Sequence, residues 1–179
     1  MIKKVLVPVD GSPLSEAALP VAESIAARFG ATVELLRVVP SVLQGVVSFA
    51  SADVPMLGPD WDDMERDQVS EARRYVVQLG RSLPQRTTVT TSVRLGDPIE
   101  EILHRARQGG FDLVVMSTHG RTGVGRWVMG SVAESVARRI GVNVLLVHPA
   151  ADRAAGDPET SGASAALSTS PTPGERDIR

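Results

Sequence analysis

The sequence predicts an α/β fold: a doubly wound parallel sheet of five strands with helices on both faces. Three observations carry this. Short apolar runs alternate with longer segments of helical spacing along residues 1–149, as in linked βαβ units. The runs at both ends, residues 5–9 and Asn143–Val147, are rich in Val and Leu without polar alternation, as strands covered on both faces are. Turn residues such as Asp10-Gly11-Ser12, Pro40 and Gly109-Gly110 separate the segments.

In order, residues 5–9 form the first strand and Asp10-Gly11-Ser12 the turn after it. Leu14, Ala17, Ala18, Val21, Ile25 and Phe29 then recur at helical spacing, and Gly30 ends the helix. Pro20 would cost roughly 3 kcal/mol in a helix interior, so a kink is expected near residues 16–20. Residues 32–39 form the second strand, ended by Pro40. Residues 41–59 carry Gly and Pro without a period, and connections of that length are often functional. Residues 60–83 read as a helix with Met64, Val69, Ala72, Tyr75, Val76 and Leu79 toward one side. Residues 87–93, rich in Thr and Val, form the third strand. Asp97-Pro98-Ile99-Glu100 opens a helix: Asp97 caps, Pro98 suits the first position, and Glu100 stands where a capping-box carboxylate belongs. Ile99, Ile102, Leu103 and Ala106 give its buried stripe. Residues 111–116 are the fourth strand, 117–130 a Gly-rich loop, and 131–140 a helix with Val132, Val136 and Ile140 inward, before the last strand.

Composition narrows the function. A hydrophobic content of 42% suffices for a core, while 3% aromatics leaves its filling to Val, Leu, Ile and Ala. A net charge of −2 with scattered Lys and Arg lacks the basic footprint of a nucleic-acid binder. The absence of cysteine excludes a disulfide, a thiolate metal centre and a cysteine nucleophile, and fits a reducing compartment. No signal-peptide core follows Met1-Ile2-Lys3-Lys4, and no stretch is long and apolar enough for a bilayer. A cytoplasmic location is therefore expected, with no membrane partner. Residues 150–179 hold Leu167 and Ile178 as their only large apolar residues. That burial cannot offset ordering entropy, so a disordered tail is expected beside a domain of residues 1–149.

In open parallel sheets, ligands bind outside the carboxyl ends of the strands, where strand order reverses. Two segments should meet there. One is Pro8-Val9-Asp10-Gly11-Ser12. The other runs from Ser117-Thr118-His119-Gly120-Arg121-Thr122-Gly123-Val124-Gly125 to Gly130-Ser131 at a helix start. Gly120, Gly123 and Gly125 permit tight turning and close approach. Gly130-Ser131 exposes N–H groups where the helix dipole favours anions. The Ser131 hydroxyl adds a donor, and Arg121 and Arg126 add charge. The set resembles a cradle for a di- or triphosphate, although Gly-rich loops also serve simply to let a helix pack back on a sheet. It is neither a P-loop nor the dinucleotide fingerprint.

Ser-Thr-His-Gly-Arg-Thr-Gly, a short connection and Gly-Ser-Val-Ala-Glu-Ser-Val, together with the opening Lys-Val-Leu-Val-Pro-Val-Asp-Gly-Ser, resemble the two signatures of the universal stress protein family. The resemblance covers residues 1–149 and points to the family's nucleotide-binding branch. It implies strand order 3-2-1-4-5, ATP with Mg2+ as ligand, and a homodimer through the last strand. That branch carries Gly, two residues, Gly, nine residues, Gly, then Ser or Thr. Gly120, Gly130 and Ser131 match, while Ser117 stands where the first glycine belongs.

The resemblance further implies adenine and ribose contacts from Pro8, Val9 and Asp10, apolar contacts from Val38 and Met116, and backbone contacts at Val132 and Ala133. Val38 and Met116 would equally be core in any α/β domain, and Asp10 could cap the following helix. His119 either reaches a phosphate or braces its loop. His104 is expected to be partly exposed, and nothing assigns a role to His148. The acidic run Asp60, Asp62, Asp63 and Glu65 suits a helix start, with a metal site as the alternative. The implied function is an ATP-binding regulatory or stress-response module without strong catalysis, since no general base with an orienting partner is evident. A slow ATPase or nucleotidyl-transfer enzyme, and an interaction module that binds no nucleotide, are the competing readings.

Overall fold

The computed structural model describes residues 1–41, 60–118 and 130–148. Five strands, β1 (Lys4–Val9), β2 (Thr32–Val39), β3 (Val89–Leu95), β4 (Leu113–Ser117) and β5 (Asn143–Val147), form one sheet of order β3-β2-β1-β4-β5. Every neighbouring pair is parallel. The helices are α1 (Pro13–Glu16), α2 (Leu19–Phe29), α3 (Asp60–Ser82), α4 (Pro98–Gln108) and α5 (Ser131–Arg139). The doubly wound sheet and its strand order are those expected from the sequence. The expected connection of residues 41–59, apart from Ser41, and the expected tail of residues 150–179 lie outside the described residues.

Alternation along the strands builds a core on each face. Val5, Val7, Val33 and Leu35 pack with Ala22 and Ala26 of α2 and Val76 of α3. Leu6, Leu36, Val38 and Val114 pack with Ile102 and Ala106 of α4 and with Ala133 and Val136 of α5. The small residues of α2 let its backbone lie close to the sheet, which a chain poor in aromatics requires.

Several sequence expectations are corrected. The expected kinked helix is two helices, with Ala17 closing α1 and Pro20 in the first turn of α2, where a missing N–H breaks no helical bond. The third strand starts two residues later than expected, at Val89, and the fourth at Leu113. The fourth is delayed because Gly110 turns with φ 63° and Phe111 tucks under the end of α4. A Cβ on Gly109 would lie 2.1 Å from the Phe111 ring, so only glycine fits there. Asp112 then accepts the N–H groups of Lys3 and Lys4 at 2.7 and 3.0 Å, and these bonds hold its carboxyl below the usual aspartate range.

Asp97 caps α4 as expected, accepting from the N–H groups of Ile99 and Glu100. The Glu100 carboxylate accepts from Arg139 at 2.6 Å, so it ties α4 to α5. Phe29 and Met64 sit on the expected apolar stripes, yet each is 48% exposed. Phe29 occupies the last position of α2, before Gly30 turns the chain away. For α3 the reason is length: its 23 residues extend about 34 Å, whereas the eight of β2 span about 26 Å. Its first turns therefore overrun the sheet.

One polar cluster is buried within the second core. Glu34 of β2, 7% exposed, accepts two bonds from the Arg105 guanidinium, both at 2.6 Å, and a third from Ser92 at 2.7 Å. Arg105 also lies 5.3 Å from the centre of the Phe111 ring, a cation–π distance. Burial raises the Glu34 pKa, but the Arg105 and Ser92 bonds and the charges of Arg105 and Arg94 outweigh it. The carboxyl therefore sits below its ordinary value of 4.5.

Candidate functional site

The sheet opens at its carboxyl edge. Pairing between β1 and β4 ends at Leu6–Val114, whereas β1–β2 pairing continues to Val9–Arg37 and β4–β5 pairing to Ser117–Val147. The two central strands thus part where strand order reverses, the place at which such sheets take ligands. Pro8, with no N–H to give a ladder, lies just past the last β1–β4 pair.

A cavity of about 330 Å³ occupies this gap, within the range of small-molecule sites. The structure brings Pro8, Val9, Asp10, Val38, Met116 and Ser117 to its wall. The run Gly130, Ser131, Val132 and Ala133 completes the set. His119, Gly120 and Arg121 lie outside the described residues. Sequence reasoning did not single out Leu36, Arg37, Pro98, Ile102 or Thr118, which also line the cavity. Pro98 and Ile102 had a signal: the Asp97 cap marks a helix that starts at the same edge of the sheet. Arg37 had none beyond its adjacency to Val38, whereas Thr118 stood in the segment expected at the site without a role of its own.

The turn after β1 is built from its own side chains. Asp10 Oδ1 accepts the Ser12 N–H at 2.9 Å and the Ser12 hydroxyl at 2.6 Å. Ser12 in turn caps α1 by accepting the Ser15 N–H. Asp10 therefore braces the turn and leaves capping to Ser12, while Gly11 supplies the left-handed residue with φ 82°. Tyr75 of α3 donates to Glu16 of α1 at 2.8 Å. Burial and that carboxylate push the phenol well above its ordinary range.

The start of α5 faces the same cavity. Its first helical bond runs from the Glu134 N–H to the Gly130 carbonyl, and among the described residues no side chain caps the helix. The N–H groups of Ser131, Val132 and Ala133 thus have no partner within the helix. Such a terminus favours an anion, while Leu36, Val38, Ile102 and Met116 offer an apolar surface suited to a flat ring. Within the acidic run, Asp63 pairs with Arg66, and Glu65 accepts from Ser41. Among the described residues no cluster of His, Asp and Glu could hold a metal ion.

Fold and cavity together define a doubly wound α/β protein with a cavity at the reversal point of its sheet. The family model described as the universal stress protein family matches residues 1–148, and the chain belongs to that family. Universal stress protein MJ0531 of Methanocaldococcus jannaschii is 32% identical over 82% of this chain and 82% of its own length. The solved structure of MJ0577, a universal stress protein of the same organism, is 27% identical with a TM-score of 0.69, covering 83% of this chain and 96% of that one. A universal stress protein crystallised in complex with cAMP shares the fold, at 23% identity and a TM-score of 0.52, over 83% of this chain and 98% of that one.

Proposed function

We propose that the carboxyl-edge cavity binds an adenine nucleotide, ATP, and that the protein acts as a regulatory or stress-response module rather than a strong catalyst. The observation that carries the reading is the meeting, in one cavity, of an apolar surface with the uncapped N-terminus of α5. Val38 and Met116 would contact the base, Pro8, Val9 and Asp10 the nucleoside, and the N–H groups after Gly130 the phosphates. His119, Gly120 and Arg121 belong to the same proposal through the sequence pattern alone. Ser117 keeps a small side chain where the family pattern has glycine, so room for the ligand is retained. The relative solved with cAMP is a likeness of fold. Mg2+ would enter with the phosphates, held by their oxygens and water.

Weak catalysis is part of the same proposal: Asp10, the acidic residue on the described wall, accepts two bonds from Ser12 at Oδ1 and so braces the turn. Titration of the protein with ATP in a calorimeter is expected to give saturable binding at one site per chain. No heat of binding up to millimolar ATP would favour an interaction module, and robust hydrolysis lost in Asp10→Ala would favour an enzyme.

A cytoplasmic homodimer completes the proposal. Among the described residues no helix is long and apolar enough to cross a membrane. β5 is an edge strand, and Asn143–Val147 carries none of the charges or prolines that usually protect an edge. Pairing with a second copy through a two-fold axis would satisfy its backbone. Leu145 packs toward the α2–α3 face and Leu146 toward the α4–α5 face. Leu146→Arg is expected to shift sedimentation from dimer to monomer with the circular dichroism of a folded chain. A native protein that sediments as a monomer at tens of micromolar contradicts the dimer.

A further inference from the structure

We infer that His148 is a positioning residue for the nucleotide site, acting through Thr118; this rests on the proposed reading of the cavity. Thr118 is 3% exposed and lines the cavity at the end of β4. Its bonds tie together three parts of the chain. Its N–H donates to the Val147 carbonyl at 3.0 Å, and its carbonyl accepts the Gly130 N–H at 2.6 Å. Its hydroxyl oxygen lies 3.1 Å from His148 Nδ1. Thr118 therefore joins the end of edge strand β5 to the residue that opens α5.

The consequence is geometric. The N–H groups offered to a phosphate are those following Gly130, and their aim depends on where Gly130 is held. The Gly130 N–H is held by the Thr118 carbonyl, so a shift of Thr118 moves the first turn of α5. The backbone bonds hold the main chain of Thr118, and the imidazole holds its side chain from an exposed position beyond β5.

The contact survives either tautomer. With a lone pair on Nδ1, the Thr118 hydroxyl donates to it. With a proton on Nδ1, the hydroxyl accepts and can turn its own hydrogen toward the Val147 carbonyl, 3.5 Å away. Asparagine at position 148 can place an amide atom near the position of Nδ1, whereas alanine cannot.

The test compares the native chain with His148→Ala and His148→Asn. The first readout is ATP affinity by calorimetry. His148→Ala is expected to weaken it roughly five- to tenfold, the loss of one ordinary hydrogen bond, and His148→Asn to restore most of it. The second readout is hydrogen exchange of the Gly130 amide in the nucleotide-free protein. Exchange should be faster in His148→Ala and return toward native in His148→Asn, with both variants melting cooperatively within a few degrees of the native chain. The idea is overturned by native Gly130 exchange in His148→Ala, or by an asparagine variant that behaves like the alanine one. If the native protein takes no ATP, the nucleotide reading falls, while exchange at Gly130 still decides whether His148 positions the helix start.

Discussion

Replacing Gly130 by Asp is expected to abolish ATP binding while leaving the fold intact. Gly130 has φ −58° and ψ 141°, an extended conformation that any residue adopts and that helix-capping residues favour. An aspartate there would cap α5, so its melting temperature should equal or exceed that of the native chain. The same carboxylate would face the phosphates in front of the N–H groups of Ser131 and Val132. Like charges brought together cost several kcal/mol, which corresponds to a loss of more than about a hundredfold in affinity. Gly130→Ser caps the helix without charge and should lose far less affinity than the aspartate variant. Calorimetry on the three proteins separates the two effects. Native affinity in the aspartate variant places the phosphates elsewhere.

Arg105→Ala is expected to be the most destabilising single change considered, costing about 3 kcal/mol. It removes the two bonds to Glu34, which is 7% exposed in the native chain, and leaves the carboxylate with the Ser92 hydroxyl. The lower end of the range for broken buried pairs applies because the Arg105 side chain is 25% exposed. Replacing both residues, Glu34→Met with Arg105→Met, should recover most of the loss, since an apolar pair needs no compensating charge. The pair also sets an acid limit. The Glu34 pKa is lower in the folded chain than its ordinary 4.5, so the unfolded chain binds the proton more tightly. The stabilisation is complete above about pH 4.5 and drains away as the pH falls through the folded value. In Arg105→Ala that dependence should vanish or reverse, because burial then acts on Glu34 without its partner. Urea denaturation of native and variant proteins between pH 3 and 7 measures both effects.

Much of the fold was legible because its signals are local. β5 has the bounds its Val–Leu run suggests, and Asp97 caps α4 as its spacing requires. The break between α1 and α2 was less legible, because whether Pro20 kinks a helix or begins one depends on where the next hydrogen bond starts. Of the candidate site, the residues at strand ends and at the start of α5 were readable, since the carboxyl edge of a parallel sheet collects them. The contacts hidden from the sequence join distant positions. Glu34 and Arg105 are 71 residues apart, and Thr118 and His148 are 30 apart. Their meeting depends on sheet register and on which face each helix covers, which no local pattern encodes.

The central claim is the place of the nucleotide. Crystals grown with saturating ATP and Mg2+ test it most directly. The account predicts density for one nucleotide per chain in the gap between β1 and β4, with the base against Val38 and Met116 and the phosphates at the N–H groups after Gly130. An empty gap in such crystals, or a nucleotide bound away from the carboxyl edge, would contradict it.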